Sequence, residues 1–245
     1  KLPMNTLQGK TALITGGSKG IGYGIAESLL KEGVNVAITS RTQTAANEAA
    51  LKLQKLNTEA KAVGFEVDVR SLQEQQQVVS QIVDQFGQLD YAIANAGLGI
   101  FGSIEELSEE EWKQVIETNL NGVFFTIKSA ADALKQTKGY FISISSLAGS
   151  NFFQKGGAYN ASKFGVTGFT QAAMLDMRPH EVSVSTIMPG SVTSHFNDHE
   201  PNEEDAWKIQ PEDIGELIVD MFKMNKRSLP SKIELRPSFP PSARK

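Results

Sequence analysis

The stretch TALITGGSKGIGYGIAESLLK, residues 11–31, decides the fold. Residues 11–15 form an apolar, β-branched run of strand length. Glycines then crowd residues 16–22, and from Gly20 onward Ile21, Ile25 and Leu29 recur every four residues, with Glu27 between them and Lys31 just after, the period of a helix. A buried strand that turns through glycines straight into a helix aims the first backbone N–H groups, and the positive end of the helix dipole, at one point where a pyrophosphate fits. Gly16, Gly20 and Gly22, with Ser18, Lys19 and Ile21 between them, are therefore candidate phosphate-loop residues. Their spacing differs from the usual G-x-G-x-x-G, so the turn taken alone also reads as a purely structural one.

Working outward, further strand-length apolar runs fall at 34–39, 62–67, 89–94, 140–145 and 182–188. Helix-length segments with apolar residues at three- and four-residue spacing fall between them at 44–56, 72–86, 109–134 and 158–177. Strands apolar on nearly every residue must be covered on both faces. Right-handed crossovers then give an α/β, Rossmann-like, doubly wound parallel sheet with helices on both faces. A helix at 211–224, with Pro211 in its first turn, and a strand at 231–235 add a seventh strand at the sheet edge. The length of 245 residues, 40% hydrophobic with 21 glycines, suits one domain over 1–245, with a cofactor half at about 9–97 and a catalytic half at about 98–237.

The bulk composition excludes several classes. A net charge of -4 gives no global attraction to nucleic acid or anionic membrane. No run approaches the roughly 20 apolar residues that cross a bilayer, and the first ten residues carry no signal-peptide core. The absence of cysteine is compatible with a reducing compartment, so a cytoplasmic protein is expected.

At the end of the second strand come Ser40 and Arg41, where an NAD site normally places an acid on the ribose 2′-hydroxyl. With Arg41 there and Lys19 in the glycine loop, two cations flank the place of a 2′-phosphate. Each charge-assisted hydrogen bond is worth roughly 1.5–3 kcal/mol, about ten- to a hundredfold in preference, so NADP(H) is expected over NAD(H). Taken singly, either residue also reads as an ordinary solvated charge.

Ser146 follows the fifth strand, and Tyr159 and Lys163, four residues apart, share one face of the helix that follows. Alone, such a pair is a common surface feature and Ser146 a common turn residue. Together with the glycine loop, the serine thirteen residues upstream of a Tyr-x-x-x-Lys pair resembles the short-chain dehydrogenase/reductase family. The resemblance runs through Asp68-Val69, Asn95-Ala96-Gly97, Asn119 and Pro189-Gly190, and covers nearly the whole chain.

That resemblance implies an NADP(H)-dependent oxidoreductase that moves a hydride between nicotinamide and a carbonyl or secondary alcohol. Tyr159 would be the general acid in reduction, Ser146 would hydrogen-bond the substrate oxygen, Lys163 would hold the nicotinamide ribose and tune Tyr159, and Asn119 would support a water relay. Asp68 and Val69 would meet the adenine, Asn95, Ala96 and Gly97 would line the cofactor, and Pro189, Gly190, Val192 and Ser194 would lie beside the nicotinamide. A phenol, with an ordinary pKa of about 10, is a weak acid; a Lys ammonium and an oxidised nicotinamide nearby are expected to lower it. Asp68 read by itself is a helix N-cap, and Asn119 a mid-helix hydrogen bond to backbone. Whether Thr193 or Ser194 meets the carboxamide stays open. The family also implies a homotetramer or homodimer packed through the helices at 109–134 and 158–177.

Leu98, Ile100, Phe101, Phe152, Phe153 and Phe196 fall on loops expected to face the nicotinamide, suggesting an apolar or aromatic carbonyl substrate, or else core and subunit contacts. The short, polar segment between Pro189 and Pro211 predicts an open pocket. His195, Asp198, His199 and Glu200 are too tightly spaced for a zinc site, His180 carries no expected chemistry, and no metal is expected. The acidic runs at 109–111 and 203–205 read as a helix N-terminus and a solvated loop. The segment Ile233-Glu-Leu-Arg-Pro237 lacks the Asp-Gly-Gly ending common in 3-oxoacyl-acyl-carrier-protein reductases, which stand as the alternative, with Lys155 as the cation to meet an acidic carrier. A non-catalytic NADP(H)-sensing protein is the remaining reading.

Overall fold

The computed structural model describes residues 6–57, 59–194 and 200–241. Strands β1 (Thr11–Ile14), β2 (Asn35–Ser40), β3 (Ala62–Glu66), β4 (Tyr91–Ala94), β5 (Tyr140–Ile144), β6 (Ser183–Pro189) and β7 (Lys232–Leu235) form one sheet in the order β3-β2-β1-β4-β5-β6-β7. Every neighbouring pair is parallel. Helices α1 (Gly20–Lys31), α2 (Gln43–Gln54), α3 (Leu72–Phe86), α4 (Glu109–Ile116), α5 (Gly122–Thr137), α6 (Gly157–Met177) and α7 (Pro211–Lys223) make the crossovers.

The strands are apolar on successive residues because each face has its own helical layer. Ala12, Ile14, Val36, Ile38, Ile93 and Ile142 pack with residues of α1, α2 and α7. Their neighbours Leu13, Ala37, Ala92 and Phe141 pack with α3, α5 and α6. Each fully buried large side chain, such as Leu13 or Phe141, contributes about 1.5–3 kcal/mol. A one-residue slip in register would exchange the two sets and is thereby disfavoured.

The helix starts show which ends the chain satisfies by itself. The hydroxyls of Thr42, Ser71 and Ser108 accept hydrogen bonds from backbone N–H groups in the first turns of α2, α3 and α4. Glu111 completes a capping box with Ser108, as the acidic run at 109–111 predicts. By contrast, α1 starts at Lys19 with no side-chain cap and no acidic residue in its first turn. Its orphan N–H groups face the crevice where the chain, having moved from β1 outward to β3, returns to the other side of β1 as β4.

Two expectations need correction. The helix expected over 109–134 is two helices, joined by a π-helical turn at Glu117–Asn121, and it ends later, at Thr137. A π turn admits an extra residue, which rotates Asn119 inward while Val115 of α4 and Val123 and Ile127 of α5 stay buried. The acidic run at 203–205 is not a solvated loop: it opens a 3-10 helix, Glu203–Trp207, in which Asp205 is buried, accepts from the Asn202 N–H at 3.3 Å and pairs with Lys208. Thus the segment between Pro189 and Pro211 holds a short helix.

Candidate functional site

The expected site residues gather along the carboxyl ends of the strands, joined by hydrogen bonds that run from the glycine loop to Tyr159. Thr15, the first residue after β1, accepts through Oγ1 from the N–H groups of Asn95 (3.0 Å) and Ala96 (3.1 Å). In return, the Asn95 side-chain amide donates to the carbonyls of Thr15 (2.9 Å) and Gly16 (3.2 Å). Gly16 sits at φ +65° with Ala96 against it, and a Cβ at Gly22 would lie 2.5 Å from Asn95 Nδ2 and from the Gly16 carbonyl oxygen. Only glycines permit this approach of loop, strand end and helix start. Ser18 and Ile21 lie in the same turn, and Ile21 packs onto the apolar core.

At the β2 and β3 ends, Ser40 is half-buried and Arg41 exposed. Neither Lys19 nor Arg41 makes a side-chain hydrogen bond or ion pair among the described residues. Asp68 is not the helix cap that its position suggests, because Ser71 caps α3. Its carboxylate instead takes the Arg70 guanidinium (Nη2 to Oδ2 2.6 Å) and the Arg70 N–H, and this pairing holds it below the usual carboxylate range, with Arg41 adding a smaller pull. Val69 is buried against Gly122.

Asn119 is buried with its amide fully used. Its Oδ1 accepts from the Leu98 N–H (2.9 Å), while Nδ2 donates to the Leu98 carbonyl (2.8 Å) and to Ser162 Oγ (3.1 Å). The bonds to backbone are present, but they reach the loop after β4 rather than the helix itself. Ser162 Oγ donates in turn to the Tyr159 carbonyl at 2.8 Å, so the π turn and α6 are locked together. A Cβ on Gly97 would come 3.3 Å from Asn119 Oδ1.

Ser146 follows β5 and caps a 3-10 turn, its hydroxyl accepting from the Ala148 N–H at 3.1 Å. It also acts on the Tyr159 phenol, drawing its pKa down. Lys163, one turn along α6, is buried, donates to the Ile144 carbonyl at 3.0 Å and holds Nζ 5.7 Å from the centre of the Tyr159 ring. Burial raises the Tyr159 pKa, opposed by Ser146, and lowers that of Lys163 to about 8. The expected lowering of the phenol is therefore absent from the protein alone, where desolvation outweighs other influences.

On the far side, Pro189 ends β6, Gly190 N–H donates to the Leu235 carbonyl at 2.8 Å, and Val192 packs on the core. The alternative between Thr193 and Ser194 narrows on geometry. Thr193 Oγ1 is buried, donating to the Asp205 carbonyl (3.2 Å) and accepting from Gln210 (3.0 Å). Ser194 instead lies beside the glycine loop, its Cβ 3.4 Å from the place of a Cβ on Gly20. His195, Phe196, Asp198 and His199 lie outside the described residues. Among the described residues no three potential metal ligands cluster, and no helix is long and apolar enough to cross a membrane.

The short chain dehydrogenase family matches residues 10–205, most of the chain. The chain belongs to this family. This short chain dehydrogenase is 32% identical over 239 residues to an uncharacterized oxidoreductase of Staphylococcus saprophyticus, covering 96% of this chain and 100% of that one. It is 34% identical over 195 residues to a 3-oxoacyl-acyl-carrier-protein reductase of Staphylococcus aureus, covering 77% of each. Its fold is similar to that of an alcohol dehydrogenase from Thermococcus sibiricus complexed with 5-hydroxy-NADP, with a TM-score of 0.88, 29% identity and coverage of 94% and 97%.

Several positioning residues of this dehydrogenase escape a reading of the sequence. Thr15 and Thr39 organise the glycine loop, Thr39 accepting from the Gly16 and Gly17 N–H groups. Asn160 and Ser162 fix the first turns of α6, Asn160 by donating to the Ala148 and Asn151 carbonyls and Ser162 by donating to the Tyr159 carbonyl. The signal was available in Tyr159-Asn160-Ala161-Ser162-Lys163, where polar residues sit within a helix otherwise packed on apolar neighbours.

Proposed function

We propose that this protein is an NADP(H)-dependent oxidoreductase acting on carbonyl groups and secondary alcohols. The observation that carries the reading is the buried Lys163, its Nζ 5.7 Å from the centre of the Tyr159 ring and with Ser146 close enough to act on the phenol, at the end of the crevice headed by the uncapped α1. The glycine loop suits a dinucleotide because it combines left-handed Gly16 and Gly20 with orphan helix N–H groups. Exposed Lys19 and Arg41 favour a 2′-phosphate and hence NADP(H). The similarity to a structure holding an NADP derivative adds to this.

A nicotinamide held in this crevice would supply the hydride. Tyr159 gives its phenolic proton to the oxygen that becomes negative, and Ser146 donates a hydrogen bond to the same oxygen. Lys163 would hold a ribose hydroxyl of the cofactor and bring positive charge to the phenolate that remains. Asn119 acts by holding the π turn and any relay through its own backbone, since its side-chain amide is already committed. Ser194 is the hydroxyl we assign to the carboxamide, and Asp68, Val69, Asn95, Gly97 and Pro189–Val192 to the cofactor walls.

Reduction of 3-oxoacyl thioesters is a second reading, favoured by the similarity to the S. aureus reductase. Lys155, the cation assigned to an acidic carrier, faces Glu106 at 3.5 Å instead. NADPH oxidation with a panel of ketones, aldehydes and acetoacetyl thioesters separates the two. Cofactor binding without turnover of any of them would favour a sensing role.

We further propose a homodimer or homotetramer built on α5 and α6. Phe124 meets Phe169 edge-on at 5.9 Å, and Phe124, Phe164 and Leu175 all present large exposed apolar surfaces on these helices.

A further inference from the structure

Two aromatic side chains stand beside Tyr159 without a part in the chemistry above. The Phe101 ring meets the Tyr159 ring edge-on at 5.5 Å, and Phe153 lies 6.5 Å from Tyr159 and 5.7 Å from Phe101. They are not core residues: 38% of Phe101 and 47% of Phe153 remains exposed.

Their loops are tied to one another. Gly102 and Gly156 form a parallel bridge, and the Gly102 N–H donates to the Lys155 carbonyl at 3.0 Å. Lys155 adopts a left-handed φ of 65° and its ammonium faces Glu106. Asn160, next to the phenol in sequence, accepts from the Phe153 N–H at 3.3 Å and donates to the Ala148 and Asn151 carbonyls at 2.8 Å each. The turn of α6 that presents Tyr159 therefore also sets Phe153, and aromatic surface fixed before binding costs little further ordering.

Residues 98–106 and 150–157 contain one cation, Lys155, and its charge is balanced by Glu106. Among the described residues, these two loops thus present rings and no unpaired lysine or arginine, a surface for a neutral, planar group rather than for a phosphate or carboxylate. Edge-to-face contact rewards an aromatic ring over a saturated one of the same size.

We propose that Phe101 and Phe153 form an aromatic clamp that selects substrates with an aryl group directly on the reacting carbon: aryl ketones, aryl aldehydes and the corresponding benzylic alcohols. The proposal rests on the hydride-transfer reading, because that reading brings the carbonyl to Tyr159.

The test compares acetophenone with cyclohexyl methyl ketone, which share the methyl carbonyl and ring size, in the wild type, Phe101→Leu and Phe153→Leu. Both kcat/KM with NADPH and binding to the enzyme–NADP+ complex by calorimetry are measured. The clamp predicts that each substitution lowers the aryl-to-saturated ratio about fivefold or more in either readout, while NADPH affinity and melting temperature stay as in the wild type. Comparing ratios between variants removes the intrinsic difference in ketone reactivity. An unchanged ratio in both variants, or no aryl binding by the wild type, overturns the clamp even if other ketones turn over through Tyr159. Phe101-dependent aryl binding without Tyr159-dependent turnover upholds the clamp and overturns hydride transfer.

Discussion

Lys163 sets folding against chemistry. Its ammonium is buried with one carbonyl partner, and desolvation lowers its pKa from 10.5 to about 8 in the protein alone. Below about pH 8 the amine is protonated in folded and unfolded chains alike, and the full penalty of about 3 kcal/mol is present. Between pH 8 and 10.5 the unfolded chain holds the extra proton, so stability rises with pH across that window. Lys163→Met is therefore expected to stabilise the cofactor-free protein at pH 7 by about 1–2 kcal/mol, less than the full penalty because the Ile144 carbonyl loses its donor. Thermal melting should show a rise of roughly 2–8 °C together with loss of turnover; a lowered melting temperature would contradict the burial argument. At the other end of the crevice, Arg41→Asp should lower kcat/KM for NADPH about ten- to a hundredfold and improve that for NADH, read from initial rates with each cofactor. The pairing of Tyr159 with Lys163 was legible because a spacing of four marks one helix face. The partners of Asn119 were not, since a bond to Leu98 and another to Ser162 join segments distant in sequence.

At the scale of elements, periodicity located each strand and the long helical segments to within a few residues, but it averages over the π turn at Glu117–Asn121 and misses the short 3-10 helices. One inserted residue barely alters an apolar stripe, yet it turns Asn119 to the loop after β4. Replacing that side chain by Leu would leave the Leu98 N–H and carbonyl without their partner, at a cost of about 2–4 kcal/mol. Denaturant unfolding of Asn119→Leu should show this loss, and a wild-type midpoint would mean that the Asn119–Leu98 pairing is dispensable. Gly22→Ala tests the glycine loop: its Cβ would press on Asn95 and on the Gly16 carbonyl, so NADPH binding should weaken at least about tenfold by fluorescence titration. The acidic run at 203–205 was misread because composition does not distinguish a solvated carboxylate from one buried beside its own cap, as Asp205 is.

For the whole molecule, continuous apolar strands dictated two helical layers, and the two separate cores on either side of the sheet meet that demand. Strand order was less accessible to sequence: nothing in β4 itself says that it returns beside β1, although that return creates the crevice. Assembly is a property of the same scale. Phe124→Lys on α5 should shift a dimer or tetramer toward monomer in sedimentation velocity, whereas an unchanged sedimentation coefficient would move the interface elsewhere. The central claim, that this fold brings NADP(H) to a Tyr159 proton donor, is tested most directly by titrating wild type and Tyr159→Phe with NADPH and NADH and following NADPH oxidation with the carbonyl panel. The account predicts preferred NADPH binding in both proteins and turnover that falls about 10²–10⁴-fold in Tyr159→Phe. Equal turnover by the two proteins, or a clear preference for NADH, would contradict it.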